Sequence, residues 1–161
     1  MDKTKSPIKK LILHHSLSDF GSAALIRKWH LEKGFDDIGY HYVICNGQLE
    51  TGLYLASMDG SIEVGRPIDI QALQLGETIG AHAYGHNRDS IGVCLIGNEY
   101  FTPKQLGALV PFVLELCHQY NIDPEAGIIG HNQTEHSKRI GKLCPHFSVE
   151  ALVDLIKSAV R

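Results

Sequence analysis

The chain opens on an apolar run, "IKKLILHH" (residues 8–15), that reads as a strand; the run is continuous rather than alternating, so both faces are expected to be buried. It ends in two adjacent histidines, His14 and His15, which a strand sends to opposite faces. "SAALIRKWHLEKG" then sets Leu25, Ile26 and Trp29 at helical spacing, with Ser22 as N-cap and Gly34 as stop. "YHYVICNGQLE" and "DGSIEVGR" alternate or branch at Cβ, and predict short antiparallel strands turning at Asn46-Gly47 and Asp59-Gly60. Residues 67–89 hold no sustained period, and "ETIGAHAYGHNRDS" reads as an ordered functional loop. "SIGVCLIG" is a central strand, apolar throughout. After it, "TPKQLGALVPFVLELCHQYN" predicts a helix with Thr102 as N-cap, Pro103 at its first position and Gln105 closing a capping box, kinked at Pro111. "GIIGH" predicts a short buried strand, and "SVEALVDLIKSAV" an amphipathic helix capped by Ser148, with Phe147 stapled onto Leu152.

Strands alternating with helices around a hairpin-rich middle predict an α/β fold: a central mixed β-sheet with helices on both faces, in a single domain spanning residues 1–161. That length suffices for a core without disulfide staples. The formal charge of -3 offers no general pull on nucleic acid, and the basic run Lys3, Lys5, Lys9, Lys10 reads as a solvated tail. Cys45, Cys94, Cys117 and Cys144 are widely spaced without a C-x-x-C, as reduced, mostly buried thiols are. Neither a signal-peptide core nor an apolar run of roughly 18 residues occurs, so synthesis in a cytoplasm and no membrane partner are expected. A monomer is the default oligomeric expectation.

The ten histidines bring in chemistry. Open α/β sheets bind ligands at the carboxyl ends of their strands, where the pattern puts His14, His15 and His131. A third element is "GKLCPHF", in which Cys144 precedes a proline and follows Lys142 by two residues. Two histidines and a cysteine make a catalytic zinc shell with its fourth position open to water. On spacing alone, His136 or His146 would serve as well as any member. A thiol hydrolase built on Cys144 and His131 uses the same residue types.

Several blocks resemble, in order, the type 2 family of zinc N-acetylmuramoyl-L-alanine amidases, which includes short phage amidases called lysozymes and the animal peptidoglycan recognition proteins. They are "HHSLSD", "IRKWHLEKGFDDIGYHYVI", "DGSIEVGR", "GAHAYGHNRDSIGVCLIGN", "FTPKQL" and "KLCPHF", spanning residues 14–147. The resemblance implies one zinc ion held by His14, His131 and Cys144 with a water as fourth ligand, catalytic roles for Tyr40 and Lys142, and packing or outer support for His15. It implies substrate contacts from His82 and Asn87, with His86, Tyr84 and Arg88 as weaker candidates, while His30, His41 and His118 are structural. The implied reaction is hydrolysis of the amide between N-acetylmuramic acid and L-alanine, on the cell wall after release or on wall fragments in the cytoplasm. A recognition module that binds peptidoglycan or muropeptides without cutting is the alternative. The chain departs from the short phage pattern at "ETGLYLASM" (50–58) and "NQTEHSKRIG" (132–141), both expected to border the groove.

Overall fold

The computed structural model describes residues 7–160. Its elements in chain order are β1 (Lys10–His15), α1 (Ala23–Glu32), β2 (Tyr42–Glu50), β3 (Leu53–Val64), α2 (Ile70–Gln74), β4 (Ser90–Leu95), α3 (Pro103–Tyr120), β5 (Ile128–Gly130), a 3-10 turn (His131–Gln133), α4 (Glu135–Ile140) and α5 (Val149–Val160). The strands form one sheet in the order β3-β2-β4-β1-β5. It is mixed: β1 runs parallel to β4 and β5, β2 runs parallel to β4, and β2 pairs antiparallel with β3. β4 holds the centre, and all six of its residues are buried, as an apolar strand covered on both faces requires.

Alternation along the strands divides the core in two. Leu11, Leu13, Ile44, Ile91, Val93 and Leu95 face α3 and α5, where Leu109, Val113, Leu116, Val153 and Ile156 meet them. On the opposite face Val43, Cys45, Cys94 and Ile96 pack against Ala23 and Ile26 of α1. His14 lies opposite Cys94 in the β1–β4 register and therefore belongs to the α1 face. The helix caps follow the sequence: Ser22 accepts from Leu25 N, Thr102 and Gln105 close a capping box, and Ser148 Oγ accepts from Ala151 N. α3 runs on through Pro111 as one 18-residue helix, because an imide nitrogen removes a single ladder bond while the packed apolar face is retained. Phe147 joins the core with its ring against Phe101, centroids 5.3 Å apart.

Two expectations are corrected. The β2–β3 connection turns at Thr51-Gly52, whereas Asn46 and Asp59 face one another inside the ladder at a break in register. Gly47 and Gly60, with φ of 86° and 80°, supply the left-handed backbone that such irregularities use, so both dipeptides bend the hairpin rather than end it. Residues 67–89 are also not all loop, since Asp69 caps the five-residue α2 by accepting from Ala72 N at 3.0 Å. Of the basic run, Lys3 and Lys5 lie outside the described residues, and Lys10 pairs with Asp89 at 3.4 Å. Among the described residues no helix is long and apolar enough to cross a membrane.

The loop between α2 and β4 is pinned to the sheet by His41. Its Nδ1 accepts from Gly92 N–H at 2.9 Å and its Nε2 donates to the Ile79 carbonyl at 2.6 Å. Burial pulls the pKa of His41 from 6.5 down to about 4, so the folded protein holds this ring neutral where the unfolded chain takes a proton. The stability this contributes is complete above pH 6.5 and lost as the pH falls towards about 4. Denaturant unfolding measured across that window is expected to show a loss of about 3 kcal/mol attributable to His41. His41→Gln is expected to be less stable at pH 7 and to show a flatter pH slope; an unchanged slope would assign the acid loss to other groups.

Candidate active site

β1 ends by delivering His14, 1% exposed, to the α1 face. β5 ends two strands' width from β4 and hands the chain to the 3-10 turn, whose first residue is His131. Helix α4, capped by Thr134 and ended by Gly141 in the left-handed conformation, turns the chain back so that residues 142–144 return over β5. The Asn132 N–H donates to the Cys144 carbonyl at 2.6 Å, which fastens that return to the segment carrying His131.

His14, His131 and Cys144 converge, with one ligand atom from each lying within 4.8 Å of the other two. His14 Nδ1 is 3.7 Å from Cys144 Sγ. Zinc bonds of about 2.1 Å to nitrogen and 2.3 Å to sulfur at a tetrahedral angle put those atoms about 3.6 Å apart, so this donor set fits a zinc ion. The alternative ligands fall elsewhere. His136 packs its ring on Tyr84 at 4.8 Å, and His146 faces His15 at 6.0 Å.

The protonation states follow from burial. His14 is held well below its usual pKa by burial, then by the neighbouring His82, His131 and Lys142. Burial first, and then Lys142, lower His131 to about 4. Burial pushes the Cys144 thiol up to about 11, opposed by the His15 N–H, which donates to Sγ at 3.3 Å, and by Lys142. The site thus holds two neutral imidazoles beside an un-ionised thiol. They suit a metal, which takes imidazole lone pairs and displaces the thiol proton.

The cluster sits at the floor of a cleft of about 700 Å³ whose lining includes Trp29, His30, Tyr40, Lys142 and Leu143. Lys142 is exposed at the rim, and the Tyr40 ring lies 5.0 Å from that of His14. Burial raises the Tyr40 phenol well above its usual pKa, with Cys94 and Cys144 adding to the shift.

The N-acetylmuramoyl-L-alanine amidase model matches residues 4–147. The chain belongs to that amidase family. The endolysin of Enterobacteria phage K11 is 33% identical over 136 residues, covering 80% of this chain and 72% of the endolysin. The solved structure of the amidase LysC from Clostridium intestinale superposes with a TM-score of 0.68 at 23% identity, covering 97% of this chain and 88% of LysC. That of PGRP-SA from Apis mellifera gives 0.63 at 25% identity, covering 92% and 82%. The fold is thus that of this amidase family.

The two residues expected to contact substrate, His82 and Asn87, both hydrogen-bond within the protein. His82 is 7% exposed, its Nδ1 lies 2.9 Å from His14 Nε2, and part of it also lines the cleft. Asn87 accepts at Oδ1 from the N–H groups of His82 and Ala83, at 2.9 and 3.1 Å, and does not line the cleft. A polar loop looks ligand-facing in sequence, but a buried backbone N–H must find an acceptor, and Asn87 supplies one. Neither departure from the phage pattern lines the cleft: residues 50–58 build the hairpin tip and residues 132–141 build the turn and α4. His30, expected to be structural, accepts from Gly39 N–H at 2.9 Å and also lines the cleft. What sequence reasoning missed is the His15 backbone N–H on Cys144, since only side chains leave a signal in a motif.

Asn87→Ala is expected to leave two loop N–H groups without an acceptor and to cost about 1–3 kcal/mol. Unfolding midpoints and faster hydrogen exchange at the His82 and Ala83 amides would read this. Unchanged stability with a raised KM would return Asn87 to the substrate.

Proposed function

We propose that the chain is a zinc-dependent amidase that hydrolyses the bond between the lactyl group of N-acetylmuramic acid and L-alanine in peptidoglycan. The observation that carries this reading is the convergence of His14 Nδ1, His131 and Cys144 Sγ at the floor of an open cleft. Held by these three, zinc would polarise the scissile carbonyl and bring the pKa of a bound water to about 7.

The chain's own residues supply the rest. His14 and His131 are neutral near pH 7 and offer lone pairs. Cys144 gives up its proton on ligation, helped by the His15 N–H and by the charge of Lys142. Lys142, cationic at the rim, offsets negative charge developing on the carbonyl oxygen as the amide is attacked. Tyr40 keeps its phenolic proton at neutral pH and orients a hydrogen-bonding group in the cleft by donating from it. Trp29 and Leu143 give the cleft apolar walls against which the peptide stem lies. Family membership and the phage endolysin relatives support peptidoglycan as the substrate.

Mass spectrometry of peptidoglycan digested by the zinc-loaded protein is expected to find intact glycan and free peptides beginning at L-alanine. Cys144→Ala and chelator-treated protein are expected to release none. Muropeptide binding without peptide release would favour the recognition module, and full activity after chelation would sink the zinc reading. Lys142→Ala is expected to lower kcat by about 10²–10³-fold while zinc stays bound, as loss of one oxyanion stabiliser does. An unchanged kcat would remove Lys142 from the mechanism.

A further inference from the structure

Behind the cluster, a chain of hydrogen bonds runs from a backbone carbonyl to His14. Ser90 Oγ lies 2.6 Å from the His86 carbonyl and 3.3 Å from His82 Nε2, and His82 Nδ1 lies 2.9 Å from His14 Nε2. A carbonyl oxygen only accepts, so the single hydroxyl proton of Ser90 goes to His86. Ser90 Oγ then has only lone pairs for His82, whose ring proton must sit on Nε2. A neutral imidazole carries one N–H, which makes His82 Nδ1 an acceptor. Burial opposes a second proton on this ring, with His41 adding to that effect. His14 therefore donates from Nε2 and holds its free lone pair on Nδ1, the atom that faces Cys144 Sγ at 3.7 Å.

The His82 ring sits in a built slot. A Cβ on Gly92 would stand 2.6 Å from His82 Cγ, and one on Gly80 would stand 2.9 Å from Cδ2, so both glycines make room for the imidazole. His41 closes one side with its ring edge-on at 5.4 Å, and is itself held by backbone at both nitrogens. Asn87 fixes the main chain of His82 through its N–H.

We propose that His82, keyed by Ser90, is a positioning residue that locks His14 in the Nε2–H tautomer and turns its Nδ1 lone pair towards His131 and Cys144. The proposal rests on the zinc reading for its purpose, though not for its geometry. Outer partners of this kind orient the ligand ring, and removing them costs about 10–100-fold in metal affinity.

Two measurements test it, and the first is independent of zinc. Long-range proton–nitrogen NMR of the histidine-labelled protein without added metal reads each ring's tautomer. Both His14 and His82 are expected as Nε2–H; a proton on His82 Nδ1 would overturn the assignment. The second is zinc affinity by competition with a chromophoric chelator, with thermal unfolding as a check on folding. His82→Leu removes the acceptor and is expected to weaken binding by about 10–100-fold. His82→Asn keeps a side-chain oxygen as acceptor and is expected to recover most of that loss. Ser90→Ala frees the direction of the chain and is expected to fall between them and to mix the tautomers of His82. Equal losses in the two His82 variants, or no loss in His82→Leu, would overturn the positioning role. If the unsubstituted protein binds no zinc, the proposed function fails, and the NMR result still decides the hydrogen-bond chain.

Discussion

A buried imidazole has to satisfy two nitrogens without water, and His14 poses that demand in the middle of the sheet. An unpaired polar group there would cost a few kcal/mol. One nitrogen is met by His82 and the other faces the Cys144–His131 pair, so neither is left to solvent. Much of the surrounding architecture serves those two partners. The loop after α2 is tied down by His41 and Asn87 so that His82 stays put, and α4 exists between two caps so that Cys144 returns over β5.

The two faces of the sheet divide the labour. The face towards α3 and α5 carries a continuous apolar core, and its strength fixes the positions of β1 and β4. Gln105 adds to that: beyond closing its capping box, it is fully buried and donates to the carbonyls of Ile44 and Ile96, which straps the start of α3 to the first half of β2 and the end of β4. The opposite face is only partly covered by α1, and the remainder is roofed by the loop carrying His82. A cleft opens where helix cover gives way to loop cover. Of the three converging side chains only His14 stands on a strand, while His131 and Cys144 are carried by the turn and the return segment beyond β5, so the sheet fixes one of them and the Asn132–Cys144 backbone bond ties the other two together.

Much of this is legible in local sequence because local physics decides it. Continuous apolar runs specify β1 and β4, and Ser22, Thr102, Gln105 and Ser148 announce their helix starts by the atoms they offer to free N–H groups. What is not legible depends on partners far along the chain. Asn46-Gly47 has the composition of a tight turn, and only pairing with Asp59 shows it to be a bend within a longer hairpin. His14 and Cys144 are 130 residues apart, so spacing cannot distinguish Cys144's partners from His136 and His146. His82 and Asn87 lie in a polar, glycine-rich stretch that looks solvent-facing until Gly80 and Gly92 are seen to make space for a ring. The family resemblance names the three residues that the structure brings together, but it could not say which nitrogen of His14 points at the sulfur.

That choice of nitrogen links electrostatics to chemistry. The imidazoles of His14 and His131 are deprotonated by burial before any cation arrives, so a metal does not compete with protons for them near neutral pH. The sulfur is different, because the same burial that frees the imidazoles keeps a proton on Cys144. On the zinc reading, exchange of a proton for a divalent ion is thereby confined to one atom of the three. The groups that ease it are a backbone N–H fixed by the end of β1 and the charge of Lys142 two residues away. Lys142 favours the thiolate of Cys144, and in the proposed mechanism it acts a second time by offsetting negative charge on the reacting carbonyl. A neutral residue there would weaken the first effect and remove the second, whereas a carboxylate would reverse both.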